Sequence, residues 1–234
     1  MTREEQQRLF DLVADPPPGS KMEAAKRHGV DLTLTARSLT LTPEERVKEM
    51  EDALQFAENL RKPNNTAMIT KFEDALRALA DAGVSFIIVG AYAAYAQGAN
   101  QLTRDLDICY ERTPENLRRL ALALSPFHPR LRGVPESTPF IFDARTLAQG
   151  LNFTLQTDLG DIDLLGELSG IKQFSELATD AVQLELHGRK IRVASLDAII
   201  RSKKAAGRPK DLLALPELEA LRESRTPQKG PEKR

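Results

Sequence analysis

The sequence contains few of the residues that build disulfides and thiolate metal sites. Its 234 residues include one cysteine, Cys109, and three histidines. A single cysteine cannot form an internal disulfide, and the widely spaced histidines do not complete a zinc ligand set with it. These shortages exclude a disulfide-stapled scaffold and predict a protein of a reducing compartment.

Excess charge of one sign, long apolar runs and common phosphate-binding motifs are also missing. The net charge is -1, from 33 basic and 34 acidic residues, which excludes a globally basic nucleic-acid coat but leaves local patches open. The longest apolar stretch, Val84 to Ala96, is shorter than the ~20 residues of a membrane-spanning helix. The first ten residues lack the basic and then apolar regions of a secretory signal. We therefore expect a soluble, cytoplasmic protein with no membrane partner. The chain also contains neither a phosphate-loop nor a dinucleotide-binding glycine fingerprint.

The length, at about 150 residues per domain, indicates one or two domains. Thr42, Pro43 and Glu45 form a helix start with a capping box, and apolar residues then recur at helical spacing at Val47, Met50, Leu54, Ala57 and Leu60. Lys62 to Asn65 ends this helix and is interpreted as a linker. We predict a helical N-terminal arm over 1–62, a main domain over 64–222 and a disordered, charged tail over 223–234.

The main domain alternates between helical and strand patterns, whereas residues 1–41 show strand-like alternation only at Val30 to Leu34. The predicted fold class is α+β: a small mixed sheet with helices on one face and a helical N-terminal extension. The predicted elements are a helix from Phe72 to Leu79, a strand from Val84 to Val89, a helix from Ala91 to Gln97, a strand through Asp105 to Ile108, a helix opening at Thr113, a loop from Ser125 to Pro139, hairpins over 151–164 and 182–193, a helix from Ser195 to Lys204 and a last helical stretch divided at Pro216.

The strand Asp105-Leu106-Asp107-Ile108 carries two carboxylates on one face. Residues two apart on a strand have α-carbons about 6.6–6.8 Å apart, and two-metal sites hold ions about 3.5–4 Å apart. Asp163 repeats the alternation on a later strand and completes the cluster if the two strands are neighbours. Clustered carboxylates repel one another unless a cation neutralises them, so this pattern favours a metal site.

The alternative for these acids is a solvated strand face, which is the usual meaning of alternating polar residues. Asp161 is the weaker member of its pair, because positions beside a turn glycine often hold Asp for local hydrogen bonding. A basic segment follows near the C-terminus, with no acid before Asp211; its ordinary interpretation is a solvated helix end. Its cations are Arg201, Lys203, Lys204, Arg208 and Lys210.

Three segments together resemble the DNA polymerase β-type nucleotidyltransferase superfamily. They are the strand–glycine–helix run Phe86 to Ala94, the acidic strand run Leu102 to Ile108, and the later run Asp161 to Gly166. The chain is most similar to small bacterial AbiE-type, toxin-like members, in which a basic segment like Ser202 to Asp211 is also typical. The resemblance covers about Lys71 to Leu221, and the combination of segments is specific although each alone is not.

The resemblance implies Mg²⁺-dependent transfer of a nucleoside monophosphate from a nucleoside triphosphate to an acceptor hydroxyl or phosphate. Two ions are expected, with Mn²⁺ as an alternative. Asp105, Asp107 and Asp163 would be the catalytic, metal-binding acids, with Asp163 nearest the attacking oxygen. The implied nucleotide-binding residues are Gly90, Ala91, Thr103, Lys203, Arg208 and Lys210. The acceptor stays open among RNA such as transfer RNA, proteins and small molecules.

The chain departs from the superfamily where Gly90 is followed by Ala91 instead of serine or glycine. Alanine keeps the backbone N–H that cradles phosphate but has no hydroxyl. The second interpretation is therefore a non-catalytic module that binds a nucleotide or a partner protein. A role in a toxin–antitoxin system is compatible with either.

The N-terminal arm from Lys21 to Arg61 loosely resembles small helical partner proteins of such nucleotidyltransferases. One hypothesis is that the arm regulates or shields the catalytic cleft. The other is that its apolar stripe simply packs on the main domain, which the pattern slightly favours.

Overall fold

The computed structural model describes residues 2–61, 71–135 and 137–225. Eleven α-helices lie in these ranges. They are α1 (Arg3–Ala14), α2 (Lys21–Arg27), α3 (Leu32–Thr40), α4 (Pro43–Arg61), α5 (Phe72–Asp81), α6 (Gly90–Ala96), α7 (Pro114–Leu124), α8 (Ala144–Gln149), α9 (Phe174–Asp180), α10 (Leu196–Ala206) and α11 (Pro209–Arg225).

Seven strands in the same ranges form one mixed sheet, in the order β3-β4-β5-β2-β1-β7-β6. They are β1 (Phe86–Ile88), β2 (Asp105–Tyr110), β3 (Arg130–Leu131), β4 (Asn152–Thr157), β5 (Gly160–Leu165), β6 (Val182–Leu186) and β7 (Arg189–Val193). The pairs β2–β5 and β1–β7 are parallel, and the other four pairs are antiparallel. The predicted α+β class with a mixed sheet is confirmed, as are both hairpins.

The two central strands divide their side chains between a core face and an open face. Leu106 and Ile108 of β2, and Ile162 and Leu164 of β5, are at most 1% exposed. They belong to one hydrophobic core that includes leucines of α5 and α7. Because side chains alternate along a strand, the four intervening aspartates point to the opposite, half-buried face.

The predicted start of α4 is confirmed in detail. The Thr42 backbone N–H donates to the Glu45 carboxylate at 2.7 Å, and the Glu45 N–H donates to the Thr42 hydroxyl at 3.2 Å. Val47, Met50 and Leu54 of the stripe are buried in the main core. The stripe therefore packs on the domain that carries the sheet.

Two predictions, one of a strand and one of a loop, are wrong. Val30 to Leu34 is not a strand, because the Asp31 carboxylate accepts the Thr33 N–H and caps helix α3. The predicted loop from Ser125 to Pro139 contains the short strand β3, in which Arg130 and Leu131 pair with Gln156 and Leu155. The prolines delimit this strand without preventing it.

Pro216 does not divide the last helix, since α11 runs unbroken from Pro209 to Arg225. A proline inside a helix removes one main-chain hydrogen bond to the residue four positions earlier, here Leu212. Leu212 lies on an exposed side of the helix, where water can solvate its carbonyl, while Ala214 and Leu218 are buried on the other side. Packing of that buried side keeps the helix continuous.

Some predictions fall outside the described residues: the linker from Lys62 to Asn65, the Leu60 side chain and the part of the predicted tail beyond Arg225. Residues 223–225 of that tail are instead the last residues of α11, so the prediction of disorder is wrong there. The division into an arm and a main domain stays a prediction. No helix in the described part of the chain combines the length and the apolar character needed to cross a membrane.

Candidate functional site

The parallel pairing of β2 with β5 brings the predicted acids together. Asp105 lies opposite Asp161, and Asp107 lies opposite Asp163, on the same face of the sheet. One carboxylate oxygen from each of Asp105, Asp107 and Asp163 lies within 4.8 Å of the others. These three side chains can hold a metal ion, and Asp161 stands beside them rather than among them.

The electrostatics of the site are those of crowded carboxylates in a poorly solvated place. Burial, together with the charges of Asp105 and Asp163, raises the pKa of Asp107 to about 7, although Lys210 and Lys203 act against the rise. Burial also raises the pKa of Asp163, with Arg132 opposing it. Negative charge here is therefore costly until a cation balances it.

Gly90 brings the backbone into contact with the Asp107 carboxylate. A Cβ at this position would lie 2.0 Å from Asp107 Oδ2, and the backbone φ is +65°, so both the space and the conformation require glycine. The Val89 N–H donates to the Asp107 carbonyl at 2.9 Å, which ties the end of β1 to the acidic strand. Helix α6 begins at this point without a side-chain cap, and Ala91 follows at the cleft.

Thr103 is buried just before β2, and its hydroxyl donates a short hydrogen bond to the Asp105 carboxylate. This contact orients Asp105, the acid nearest the start of the strand. The neighbouring Arg104 is exposed, as expected for a surface residue.

The basic segment meets the acids where α10 ends and α11 begins. Lys203 Nζ lies 3.2 Å from Asp211 Oδ1, and Arg208 Nε lies 2.6 Å from Asp211 Oδ2. Burial acts to raise the pKa of Asp211, but these hydrogen bonds hold it below its ordinary value. Asp211, itself 2% exposed, thus fixes both cations at the edge of the cleft.

One cleft contains every residue that the sequence singled out for chemistry. Its walls include the acids Asp105, Asp107 and Asp163, the turn residues Gly90, Ala91 and Thr103, and the cations Lys203, Arg208 and Lys210. A second, more apolar cavity adjoins it at Gly90 and Asp107, with leucines and Ile199 among its walls. These apolar walls account for the poor solvation of Asp107.

Sequence reasoning missed two residues of the site, Arg132 and Asp211. Arg132 Nη2 lies 2.7 Å from Asp163 Oδ1, and its Nη1 lies 2.9 Å from Asp161 Oδ2. The signal was present, because Arg130-Leu131-Arg132 alternates in the same way as the two acidic strands. Asp211 stands out in the sequence only as the residue that ends the basic run.

The donor set consists of three carboxylates, the ligands preferred by hard divalent cations rather than by soft, thiolate-seeking metals. The convergence of their oxygens and the raised pKa of Asp107 both fit a bound cation. No protein-family model and no curated protein matches the chain. The case for a function therefore rests on the chemistry of this cleft.

Proposed function

We propose that the chain is a divalent-cation-dependent nucleotidyltransferase. It would move a nucleoside monophosphate from a nucleoside triphosphate to an acceptor hydroxyl or phosphate, releasing pyrophosphate. The observation that carries the proposal is the meeting of Asp105, Asp107 and Asp163 in one cleft that also holds the Gly90 turn and the cations of α10 and α11.

Asp105, Asp107 and Asp163 would hold the cation, and Mg²⁺ or Mn²⁺ suits their oxygen donors. When bound, such an ion stabilises the negative charge that develops on a transferring phosphoryl group. A solvated strand face would not need the Gly90 approach to Asp107 or the buried Asp211 behind the cations. These two features favour a built site over an ordinary polar surface.

Different residues of the chain would bind the triphosphate and accept the proton of the acceptor. Lys203, Arg208 and Lys210 lie where they can attract the triphosphate, Arg as a planar fork and Lys as a point charge. The Gly90 and Ala91 amides would donate to phosphate oxygens. An Asp163 carboxylate oxygen would accept the proton of the acceptor hydroxyl, which leaves the attacking oxygen free to bond to phosphorus.

The resemblance to the DNA polymerase β-type superfamily, and within it to small bacterial AbiE-type toxin-like members, belongs to the same proposal. The order of strand, glycine, helix and acidic strand supports it, as does a third acid on a neighbouring parallel strand. A cytoplasmic location and a toxin–antitoxin role would follow from this membership. The acceptor could then be RNA, protein or a small molecule.

The test is incubation of the full chain with each α-³²P-labelled triphosphate, Mg²⁺ or Mn²⁺ and a cell extract. We expect one class of macromolecule or metabolite to become labelled, and Asp107→Asn to abolish labelling. Asp52→Asn, a matched change of an exposed aspartate on α4, should label as the wild type does. Equal labelling by Asp107→Asn would refute the mechanism.

The second candidate is a non-catalytic nucleotide- or partner-binding module. Two observations favour it: Ala91 offers no hydroxyl at the turn, and Asp211 already engages Lys203 and Arg208. Calorimetry with each triphosphate distinguishes the candidates. Binding without labelled product under any condition would support the module, and growth arrest that depends on Asp107 would support the toxin-like enzyme.

A further inference from the structure

Arg132 is a cation in direct contact with the acidic cluster, and the proposed reaction gives it no role. It follows β3, and its backbone N–H donates to the Thr154 carbonyl at 2.9 Å, which anchors it to β4. Its guanidinium spans two carboxylates, with Nη2 2.7 Å from Asp163 Oδ1 and Nη1 2.9 Å from Asp161 Oδ2. The side chain is fixed at both ends.

The sheet explains why this arginine reaches Asp163. Asp107 on β2 pairs with Asp163 on β5, and Asp163 pairs with Thr154 on β4. Arg132 continues this row at the main-chain bond to Thr154. The row therefore places a guanidinium at the side of Asp163 that faces away from Asp107.

The arginine and a cation can share Asp163 because a carboxylate has two oxygens. Arg132 donates one hydrogen bond to Oδ1, and the acidic cluster needs only one oxygen from each acid. Those ligand oxygens already lie within 4.8 Å of one another while Arg132 is in contact. A cation therefore does not have to displace Arg132.

Two opposing effects follow from the positive charge of Arg132. It repels a divalent cation, but it also holds Asp163, only 14% exposed, in place beside three other acids. The hydrogen bond from Arg132 to Oδ1 fixes the rotation of the Asp163 carboxylate. Without that bond the carboxylate would be free to rotate, and the repulsion from those acids would favour orientations in which its oxygens point out of the cluster. Partners of metal ligands are usually worth about 10- to 100-fold in metal affinity, so we expect the loss of orientation to outweigh the relief of repulsion.

We propose that Arg132 is a positioning residue, which orients the Asp163 carboxylate toward Asp105 and Asp107 so that the three acids bind a divalent cation as a prearranged set. The inference rests on the cation site of the proposed function, but not on the identity of the acceptor or of the nucleotide.

The test measures Mn²⁺ binding to the full chain by isothermal titration calorimetry, without nucleotide. Arg132→Ala should weaken the affinity by about 10- to 100-fold. Arg132→Lys keeps the charge but cannot span Asp161 and Asp163, so its loss should be smaller. The matched control is Arg104→Ala, which removes an exposed positive charge beside Asp105 without touching Asp163; its affinity should stay within about threefold of the wild type.

Thermal unfolding of the chelator-treated variants provides a second measurement. Arg132→Lys should unfold close to the wild type while still binding Mn²⁺ more weakly, a combination that a purely structural role would not give. Unchanged or tighter Mn²⁺ binding by Arg132→Ala and Arg132→Lys would overturn the inference.

The outcome also separates this inference from the proposed function. A wild-type chain whose Mn²⁺ binding is weakened by Arg132→Ala, but which transfers no nucleotide, would support the inference and count against the enzyme. If the wild-type chain binds Mn²⁺ no more tightly than Asp107→Asn does, both the inference and the proposed function are overturned.

Discussion

The raised pKa of Asp107 makes a prediction about stability that needs no substrate. Burial and the neighbouring acids shift this pKa from 3.8 to about 7, a change of about three units. Each unit corresponds to about 1.36 kcal/mol, so ionised Asp107 costs the folded chain at most about 4 kcal/mol. Asp107→Asn removes this cost, because asparagine has the shape of the protonated acid and carries no charge.

The size of this stability difference depends on pH. Because the folded pKa lies above the unfolded one, protonation of Asp107 contributes stability that is fully present below pH 3.8 and is lost as the pH rises through about 7. We therefore expect chelator-treated Asp107→Asn to be more stable than the wild type at pH 8, and the difference to shrink steadily toward pH 4.

The assay is thermal unfolding in EDTA across this pH range, read by circular dichroism. For a chain of this size, each kcal/mol changes the midpoint by about 2–4 °C. Asp52→Asn, the same substitution at an exposed aspartate of α4, is the control for the change itself. A destabilised Asp107→Asn at pH 8, or a difference independent of pH, would refute the electrostatic account of the cluster.

A divalent cation should stabilise the wild type and narrow the difference between the two proteins. Ligand at about 100 times its Kd stabilises the folded state by about 2.7 kcal/mol, and only the wild type retains all three acids. We expect millimolar Mn²⁺ to raise the wild-type midpoint and to leave Asp107→Asn nearly unchanged. An equal rise in both proteins would place the bound cation elsewhere.

Two further predictions concern the contacts that attach the arm. Arg46 is 6% exposed and donates to the Ser38, Leu41 and Ala96 carbonyls, so Arg46→Met should cost about 3 kcal/mol or more in urea unfolding; a loss below 1 kcal/mol would contradict this. Burial acts to lower the pKa of His187, but Glu51, Glu44 and Glu73 raise it above its ordinary 6.5. The stabilisation that protonated His187 gives the folded chain is fully present below pH 6.5 and is lost as the pH rises through the folded pKa. His187→Asn, chosen because asparagine tolerates the φ of +52°, should therefore destabilise the chain more at pH 6 than at pH 9, and equal losses would contradict the prediction.

The sequence was sufficient to predict elements with strong local signals. The capping box at Thr42 and the alternation in both hairpins depend on residues close in the chain, and both predictions are confirmed. The expectation that Asp163 would join Asp105 and Asp107 needed one further assumption, that β2 and β5 are neighbours. The two strands are neighbours in the structure, and Asp107 pairs with Asp163 in parallel register.

Contacts that depend on distant partners were not predictable in this way. Arg132 lies among prolines in a segment interpreted as loop, and only the pairing of β3 with β4 brings it to Asp163. Pro216 was expected to divide a helix, because local chemistry says nothing about the buried side that holds α11 together. In both cases tertiary packing outweighs the local preference.

The distribution of charge in the cleft differs from that of an ion-pair network built only for stability. Arg132 pairs directly with Asp161 and Asp163, and a network built only for stability would place Lys203 and Arg208 on the acids of the sheet as well. Instead, both direct their nitrogen atoms to Asp211, an acid 2% exposed that lies between them. Asp107 is left with a raised pKa beside two other carboxylates. That arrangement is costly in the metal-free chain and would become favourable with a bound cation, which supports the proposed site.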